Sequence, residues 1–155
     1  MTVSTDAILF YGFQIPTYHE ETLPWVRANM QFDTNTWIAE NIFEHHKPKQ
    51  LDSMHPDQRQ EFWDKRYELL DNYPIRIGYS CTSSEPHWYI YIKTQHRVCA
   101  RGDTINITRS LPFDEKWLEM LQEFAQKCNF PPVVMDLDEK KYYRAGWWLT
   151  VYAEI

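Results

Sequence analysis

Histidine and cysteine are the residues of this chain whose side chains could hold a metal ion. His45 and His46 are adjacent, and adjacent side chains on a helix point about 100° apart rather than toward one ion. His96 and Cys99 offer two ligands, and neither an H-E-x-x-H motif nor paired C-x-x-C motifs, which many zinc sites use, accompany them. We therefore predict no metal and no cofactor.

Nucleophilic catalysis would need a reactive side chain held beside a base. The chain has no G-x-S-x-G elbow, and its four glycines are too few for a glycine-rich phosphate cradle. Cys81, Cys99 and Cys128 are odd in number and widely spaced, which indicates free thiols in a reducing compartment. These absences favour a protein that is not an enzyme. A small hydrolase or nuclease using Cys99, His96 or helix carboxylates stays open as a third alternative.

Carboxylates outnumber the basic groups. The chain has 22 Asp and Glu against 16 Lys and Arg, for a net charge of −6. This balance argues against a protein that coats nucleic acid and suits a basic partner. Acidic helices could occupy a basic groove on another protein. The candidate protein-binding residues are Glu61, Asp64, Glu68 and Asp71 on one predicted helix, and Glu115, Glu119 and Glu123 on another.

Positive charge is concentrated in the middle of the chain, where residues 73–110 carry +3 and leave −9 for the remainder. Tyr89, Tyr91 and Lys93 alternate along one predicted strand and so share a face, with Arg97 and Arg101 following. An open face of this kind could stack bases and neutralise phosphates. A nucleotide or single-stranded nucleic-acid site is therefore the alternative function. The simpler interpretation is that these side chains protect the sheet and its edges.

Hydrophobic periodicity predicts the elements that must position these groups. Apolar alternation predicts strands over residues 7–15, 75–81, 87–94, 97–102 and 146–154, with a tight turn near Gln95. Helical spacing predicts helices within residues 31–46, 55–74 and 111–130. In the second of these helices, the predicted apolar stripe consists of Phe62, Trp63, Tyr67 and Leu70.

Local signals mark where these elements begin and bend. Asp33 and Asp114 each follow a phenylalanine and are suited to cap a helix N-terminus. Pro56 suits a first helical position. Gly12, inside the first strand, indicates a bulge or the close approach of a neighbouring strand.

Together these elements predict an α+β fold in one globular domain over residues 1–155. Its core would be an antiparallel β-sheet of about four to five strands, with three or more helices packed mainly on one face. The first and last strands are apolar on both sides, so we place them inside the sheet, where they could pair. Trp147 and Trp148 must then face opposite sides of the sheet. Aromatic residues, 16% of the chain, are expected mainly to fill the core.

The N-terminal stretch MTVSTDAILFYGFQI lacks the basic segment and the small-residue cleavage site of an export signal. The longest apolar run in the stretch is too short to span a membrane. We therefore expect a cytoplasmic protein with no membrane partner.

Three segments carry a resemblance to known proteins. DAILFYGFQI, HWYIYIKT and GWWLTVYAEI are similar to segments of small uncharacterised proteins of tailed bacteriophages, in which an F-Y-G strand and a G-W-W-L strand bracket a variable acidic middle. The matching residues are Phe10-Tyr11-Gly12 and Gly146-Trp147-Trp148-Leu149. The resemblance implies a phage accessory protein, in the host bacterial cytoplasm, that binds a host protein such as a component of antiviral defence.

The sequence therefore leads us to expect a non-enzymatic, phage-encoded protein that inhibits or redirects a host protein through its acidic helical surfaces. A homodimer that covers the tyrosine-bearing face stays open as well.

Overall fold

The computed structural model describes residues 4–16, 23–27, 31–82, 85–100, 111–135 and 142–154. The chain forms two compact units, Met1–His19 with Pro74–Ile155, and Glu20–Tyr73. The expectation of one domain over residues 1–155 stays a prediction beside this division. In chain order the elements are β1 (Ser4–Ile15), β2 (Val26–Arg27), β3 (Gln31–Phe32), α1 (Thr34–Asn41), a short 3-10 helix at Leu51–Ser53, α2 (Pro56–Asn72), β4 (Ile75–Thr82), β5 (Glu85–Cys99), α3 (Glu115–Lys127) and β6 (Gly146–Glu154).

Among the residues that the structure describes, the first unit is built on a four-stranded antiparallel sheet with the order β4-β5-β1-β6. With the three α-helices of the same described residues, this sheet confirms the predicted α+β class. The expected pairing of the first and last strands is also observed, since β1 and β6 run antiparallel from Ser4↔Glu154 to Gly12↔Gly146. The expectation that both lie inside the sheet is wrong for β6, which ends the strand order within the described residues.

The predicted turn near Gln95 is wrong, because β5 continues through it as one strand from Glu85 to Cys99. The register with β1 shifts instead: Tyr91 pairs with Gly12, and His96 pairs with Phe10. Residues 92–95 therefore lie opposite a single residue of β1, as a β-bulge. The segment offers none of the Gly, Pro, Asn or Asp residues that a tight turn prefers, so a bulge absorbs the extra length.

The sheet is strongly curled. Neighbouring strands lie about 4.8 Å apart, so β4 and β6 would be separated by about 14 Å in a flat sheet. Their Cα atoms instead come within 8 Å of each other. Curling brings the two terminal strands of the sheet near each other.

One face of the sheet packs against α3. Tyr11 on β1 contacts Trp117 on α3, with ring centroids 5.3 Å apart, and Trp147 on β6, with centroids 5.8 Å apart. The Trp147 indole N–H donates to the Pro112 carbonyl oxygen at 2.8 Å. The helix contributes buried Leu121, Phe124 and Ala125 to this layer. The sheet contributes Phe13, Ile15, Ile75, Trp88, Ile90 and Ile92, each at most 2% exposed.

The opposite face of the sheet carries a second apolar cluster. Phe10 is fully buried and its ring stacks on Tyr89, with centroids 4.5 Å apart. Ile8 completes the buried cluster, and Tyr91 and Trp148 pack against it. Trp147 and Trp148 therefore lie on opposite faces, as predicted, and both are partly exposed.

The second unit contains the antiparallel pair of strands β2 and β3, α1 and α2. The Asp33 carboxylate accepts from the Thr36 N–H at 2.9 Å and caps α1, as predicted. Pro56 begins α2, also as predicted. In the first unit, Asp114 caps α3 by accepting from the Lys116 N–H at 2.9 Å.

Within the described residues, no helix combines the length and the apolar character that a membrane crossing requires.

Gly12 is required by the close approach of β5, and we expect Gly12→Ala to lower the free energy of unfolding by about 3 kcal/mol. An added Cβ would collide with the backbone of Ile90 and Tyr91, which cannot rotate away. Its paired residue Gly146 has nothing within 4 Å of an added Cβ, so Gly146→Ala should change stability by less than about 0.5 kcal/mol. Urea unfolding of both variants checks this, and equal losses would contradict it.

The Tyr11 hydroxyl is buried and has no hydrogen-bond partner among the described residues. Burial also raises the pKa of Tyr11. Because an unsatisfied buried hydroxyl is costly, we expect Tyr11→Phe to raise the free energy of unfolding by about 1 kcal/mol. Tyr67→Phe, at a residue that is 64% exposed, is the matched control and should have no measurable effect. A loss of stability in Tyr11→Phe would show that the hydroxyl is hydrogen-bonded.

Candidate functional site

A line of exposed carboxylates runs the length of α2. Asp57 begins it, and the four acidic residues predicted from the sequence continue it at spacings of four, three, four and three. These intervals keep side chains within an arc of about 80° and extend over about 21 Å of helix. We call this set the acidic stripe; it comprises Asp57, Glu61, Asp64, Glu68 and Asp71, all exposed.

The side of α2 opposite the acidic stripe differs from the prediction at one position. Tyr67 is 64% exposed, whereas Arg66 is 4% exposed. Helical spacing explains why residue 66 is buried and residue 67 is exposed. Residues 62, 63, 66, 69 and 70 share one side of the helix, and residue 67 does not. The helical position of residue 66 could be read from the sequence, but a charged arginine is not expected in an apolar stripe, so the prediction did not include it. An arginine can be buried when its stem packs and its head group is paired.

Arg66 joins α2 to α1 and to the segment that follows α1. Its Nη2 donates to the His45 carbonyl oxygen at 2.8 Å and lies 3.7 Å from Glu40 Oε1. Its guanidinium lies over two rings of its own helix, 5.0 Å from the Phe62 centroid and 5.3 Å from that of Trp63. These contacts fix the rotation of α2 about its own axis and thereby determine which way the acidic stripe, on the opposite side of the helix, faces.

Polar neighbours partly compensate the charge of the acidic stripe. Lys65 Nζ lies 2.9 Å from Glu68 Oε2, and the Gln60 amide donates to Asp64 Oδ1 at 2.7 Å. Both contacts are exposed, and exposed ion pairs contribute little stability. A basic partner could therefore replace them at low cost.

The acidic residues of α3 form a less continuous set. Glu115, Glu119 and Glu123 are all exposed, but their uniform spacing of four turns each one about 40° around the helix from the last. Lys127 lies 3.3 Å from Glu123 Oε1 and offsets the last of them. Of the two predicted acidic surfaces, α2 therefore carries the straighter and longer one.

The residues of the alternative nucleotide site come together only in part, since Tyr89 and Tyr91 lie with their ring centroids 5.5 Å apart. Tyr89 is 5% exposed, with its ring already stacked on Phe10. Lys93 and Arg97 are exposed, but Arg97 pairs with Leu9, whose side chain lies on the face opposite Phe10. Arg101 lies outside the described residues.

Tyr91 has two neighbours that the sequence did not suggest. Its ring stacks on the His96 imidazole, with centroids 4.5 Å apart, because the bulge returns His96 to the same face. Arg76 pairs with Tyr91 across β4 and β5. Burial raises the pKa of Tyr91, and the Arg76 guanidinium opposes part of that rise. Burial likewise lowers the pKa of His96.

The His96 and Cys99 pair of the hydrolase alternative is separated by the sheet. His96 pairs with Phe10 and Cys99 with Ala7, so their side chains point to opposite faces. Cys128 is buried, which raises its pKa well above the usual range of a thiol. The described residues contain no group of three His, Cys, Asp or Glu that could hold a metal ion.

Loss of the Arg66 contacts should destabilise the second unit. We expect Arg66→Gln to lower the free energy of unfolding by about 2–3 kcal/mol, because the His45 carbonyl and Glu40 lose their cation. Arg59→Gln on the same helix is the control and should stay within about 0.5 kcal/mol of the wild type. Urea unfolding followed by circular dichroism measures both, and similar values for the two variants would contradict this role of Arg66.

The structure therefore assembles the acidic stripe, but it separates Arg97 from the two tyrosines of the nucleotide alternative and His96 from Cys99 of the hydrolase alternative. Asp57 extends the stripe beyond the predicted residues, and its signal was the continued spacing of three and four. Comparison of the chain with known protein families, with curated protein sequences and with solved structures finds no match.

Proposed function

We propose that this protein is a non-enzymatic binding protein that presents the acidic stripe of α2 to a basic surface of another protein. The observation that carries the proposal is the unbroken line of exposed carboxylates along one helix, opposite a side that buried Arg66 holds in place.

A line of like charges on a fixed helix suits electrostatic recognition. Its charges sum at a distance, which raises the association rate with a basic partner. Because α2 is already folded and anchored through Arg66, little conformational entropy would be lost when a partner binds. The length of about 21 Å matches a groove or a helix rather than a single small ligand.

The acidic stripe carries an internal cost that favours a binding role. Its members are neighbours on the helix at spacings of three and four, where like charges destabilise a helix by about 0.2–0.5 kcal/mol per pair. A partner that supplies positive charge would relieve this repulsion.

We further propose that the protein is phage-encoded and that its partner is a host protein of the bacterial cytoplasm. This step rests on the resemblance of its two end segments to tailed-phage proteins. Those segments pair with each other in the sheet, Phe10-Tyr11-Gly12 against Trp148-Trp147-Gly146, so they mark a structural element. A basic nucleic-acid groove on an antiviral component is the kind of surface the acidic stripe would occupy, which would inhibit or redirect that component.

The nucleotide alternative has weaker support, because Tyr89 is buried and Arg97 lies on the other face of the sheet. It still predicts a distinct result, a bound component that absorbs near 260 nm and is removed by salt or nuclease.

Charge reversal along α2 tests the proposal. The variant combines Glu61→Lys, Asp64→Lys and Glu68→Lys. We expect it to reduce capture of the partner from clarified bacterial lysate by at least about tenfold at low salt. Immobilised protein, quantitative mass spectrometry of the captured proteins and a salt series provide the measurement.

The matched control combines Glu115→Lys, Glu119→Lys and Glu123→Lys on α3. Each triple variant changes the net charge from −6 to zero, so the two differ in where the charge changes. We expect the α3 variant to keep at least half of the capture. Undiminished capture by the α2 variant would refute the binding role of the acidic stripe. Equal losses of capture in the α2 and α3 variants would indicate an unspecific effect of net charge.

A charge-neutral variant separates binding from folding. Glu61→Gln, Asp64→Asn and Glu68→Gln together remove like-charge neighbours, so the melting temperature should stay equal or rise. Capture should nevertheless fall. A fall in both quantities would instead assign the carboxylates a structural role.

A further inference from the structure

We propose that His45 is a proton-sensitive latch: protonation of its imidazole releases the segment after α1 from Arg66 and loosens the pairing of α1 with α2. The inference concerns the folding of Glu20–Tyr73 and is independent of the proposed binding function.

His45 is held at three points. Its N–H donates to the Ala39 carbonyl oxygen at 2.8 Å. Its own carbonyl oxygen accepts from Arg66 Nη2 at 2.8 Å, and its Nδ1 lies 3.4 Å from Arg66 Nε, which donates to it. A guanidinium has only donors, so Nδ1 must carry a lone pair and the ring must be neutral.

The imidazole is also packed. It stacks on Phe62 with centroids 4.5 Å apart and an interplanar angle of 22°. The preceding residue, Glu44, has a φ of 55°, in the left-handed region that costs a non-glycine residue about 1 kcal/mol. The contacts of His45 hold the chain at Glu44 in this conformation, so their loss favours release of the segment from α1 and α2.

The groups around the ring make a second positive charge unfavourable. Arg66 on α2 is the nearest cation, and Lys65 on α2 and His46 in the same segment add to it. Glu40 on α1 is the acidic group of the cluster, but it already lies 3.7 Å from Arg66 Nη2. A proton on His45 Nδ1 would point at the N–H of Arg66 Nε, so two donors would face each other. The imidazolium and the guanidinium would also repel each other as like charges.

The direction of the pH effect follows from these contacts. Burial, and next the Arg66 charge, lower the pKa of His45 below its ordinary value of 6.5. The unfolded chain then binds a proton that the folded chain excludes. The contribution of His45 to stability is complete above pH 6.5 and is lost as the pH falls through the lowered pKa.

The experiment follows amide hydrogen exchange of residues 34–72 and thermal unfolding from about pH 7.5 to about pH 5. In the wild type we expect opening of these residues to increase by up to about tenfold per pH unit below 6.5. His45→Asn should lack this increase, because the asparagine Oδ1 can accept from Arg66 Nε but does not take up a proton. His46→Asn, next to it and exposed, should keep the increase.

Two results would overturn the latch. One is a His45→Asn variant with the pH dependence of the wild type. The other is a pKa of His45 at or above 6.5 in an NMR titration of the wild-type protein. That titration decides the question even if His45→Asn fails to fold, because it needs no variant.

Discussion

The central strand β1 forms hydrogen bonds along both edges, with β5 on one side and β6 on the other, and the first unit depends on this double pairing. Gly12 permits it, since any side chain there would collide with the β5 backbone. At the same place the bulge of residues 92–95 absorbs the excess length of β5. A slip of β1 by one residue would move the side chains on the Tyr11 face to the Phe10 face and the reverse. The register therefore decides which side chains α3 can pack against.

The same register explains how the aromatic residues are used. Phe10 and Tyr11 are neighbours in sequence and point to opposite faces, and each meets an aromatic ring from β5, β6 or α3. Aromatic rings bury a large area per residue, which allows a small curled sheet to carry apolar clusters on both of its faces. Tyr89 becomes part of such a cluster, so a ring that could have stacked on a base stacks on Phe10 instead.

Features that depend on neighbouring residues in sequence could be predicted from the chain alone. The caps at Asp33 and Asp114, the start of α2 at Pro56 and the close approach at Gly12 follow from local chemistry, and two-sided apolar character predicted the pairing of β1 with β6. The bulge in β5 could not be predicted, because it depends on the length of β1 opposite it. Burial of Arg66 was equally hidden, since its partners Glu40 and His45 lie on other segments and only the fold brings them near.

The proposed binding surface of helix α2 would oppose the stability of its own scaffold. Asp57 in the first turn interacts favourably with the helix dipole, but Asp71 lies in a last turn that contains no basic residue, where negative charge is unfavourable. Repulsion between neighbours in the acidic stripe adds to this cost. Contacts on the other side of the helix, through Arg66 and the rings beneath it, offset both. Stability alone would favour lysine or arginine in the last turn of a helix, so an acidic stripe that continues through that turn supports the proposed binding role.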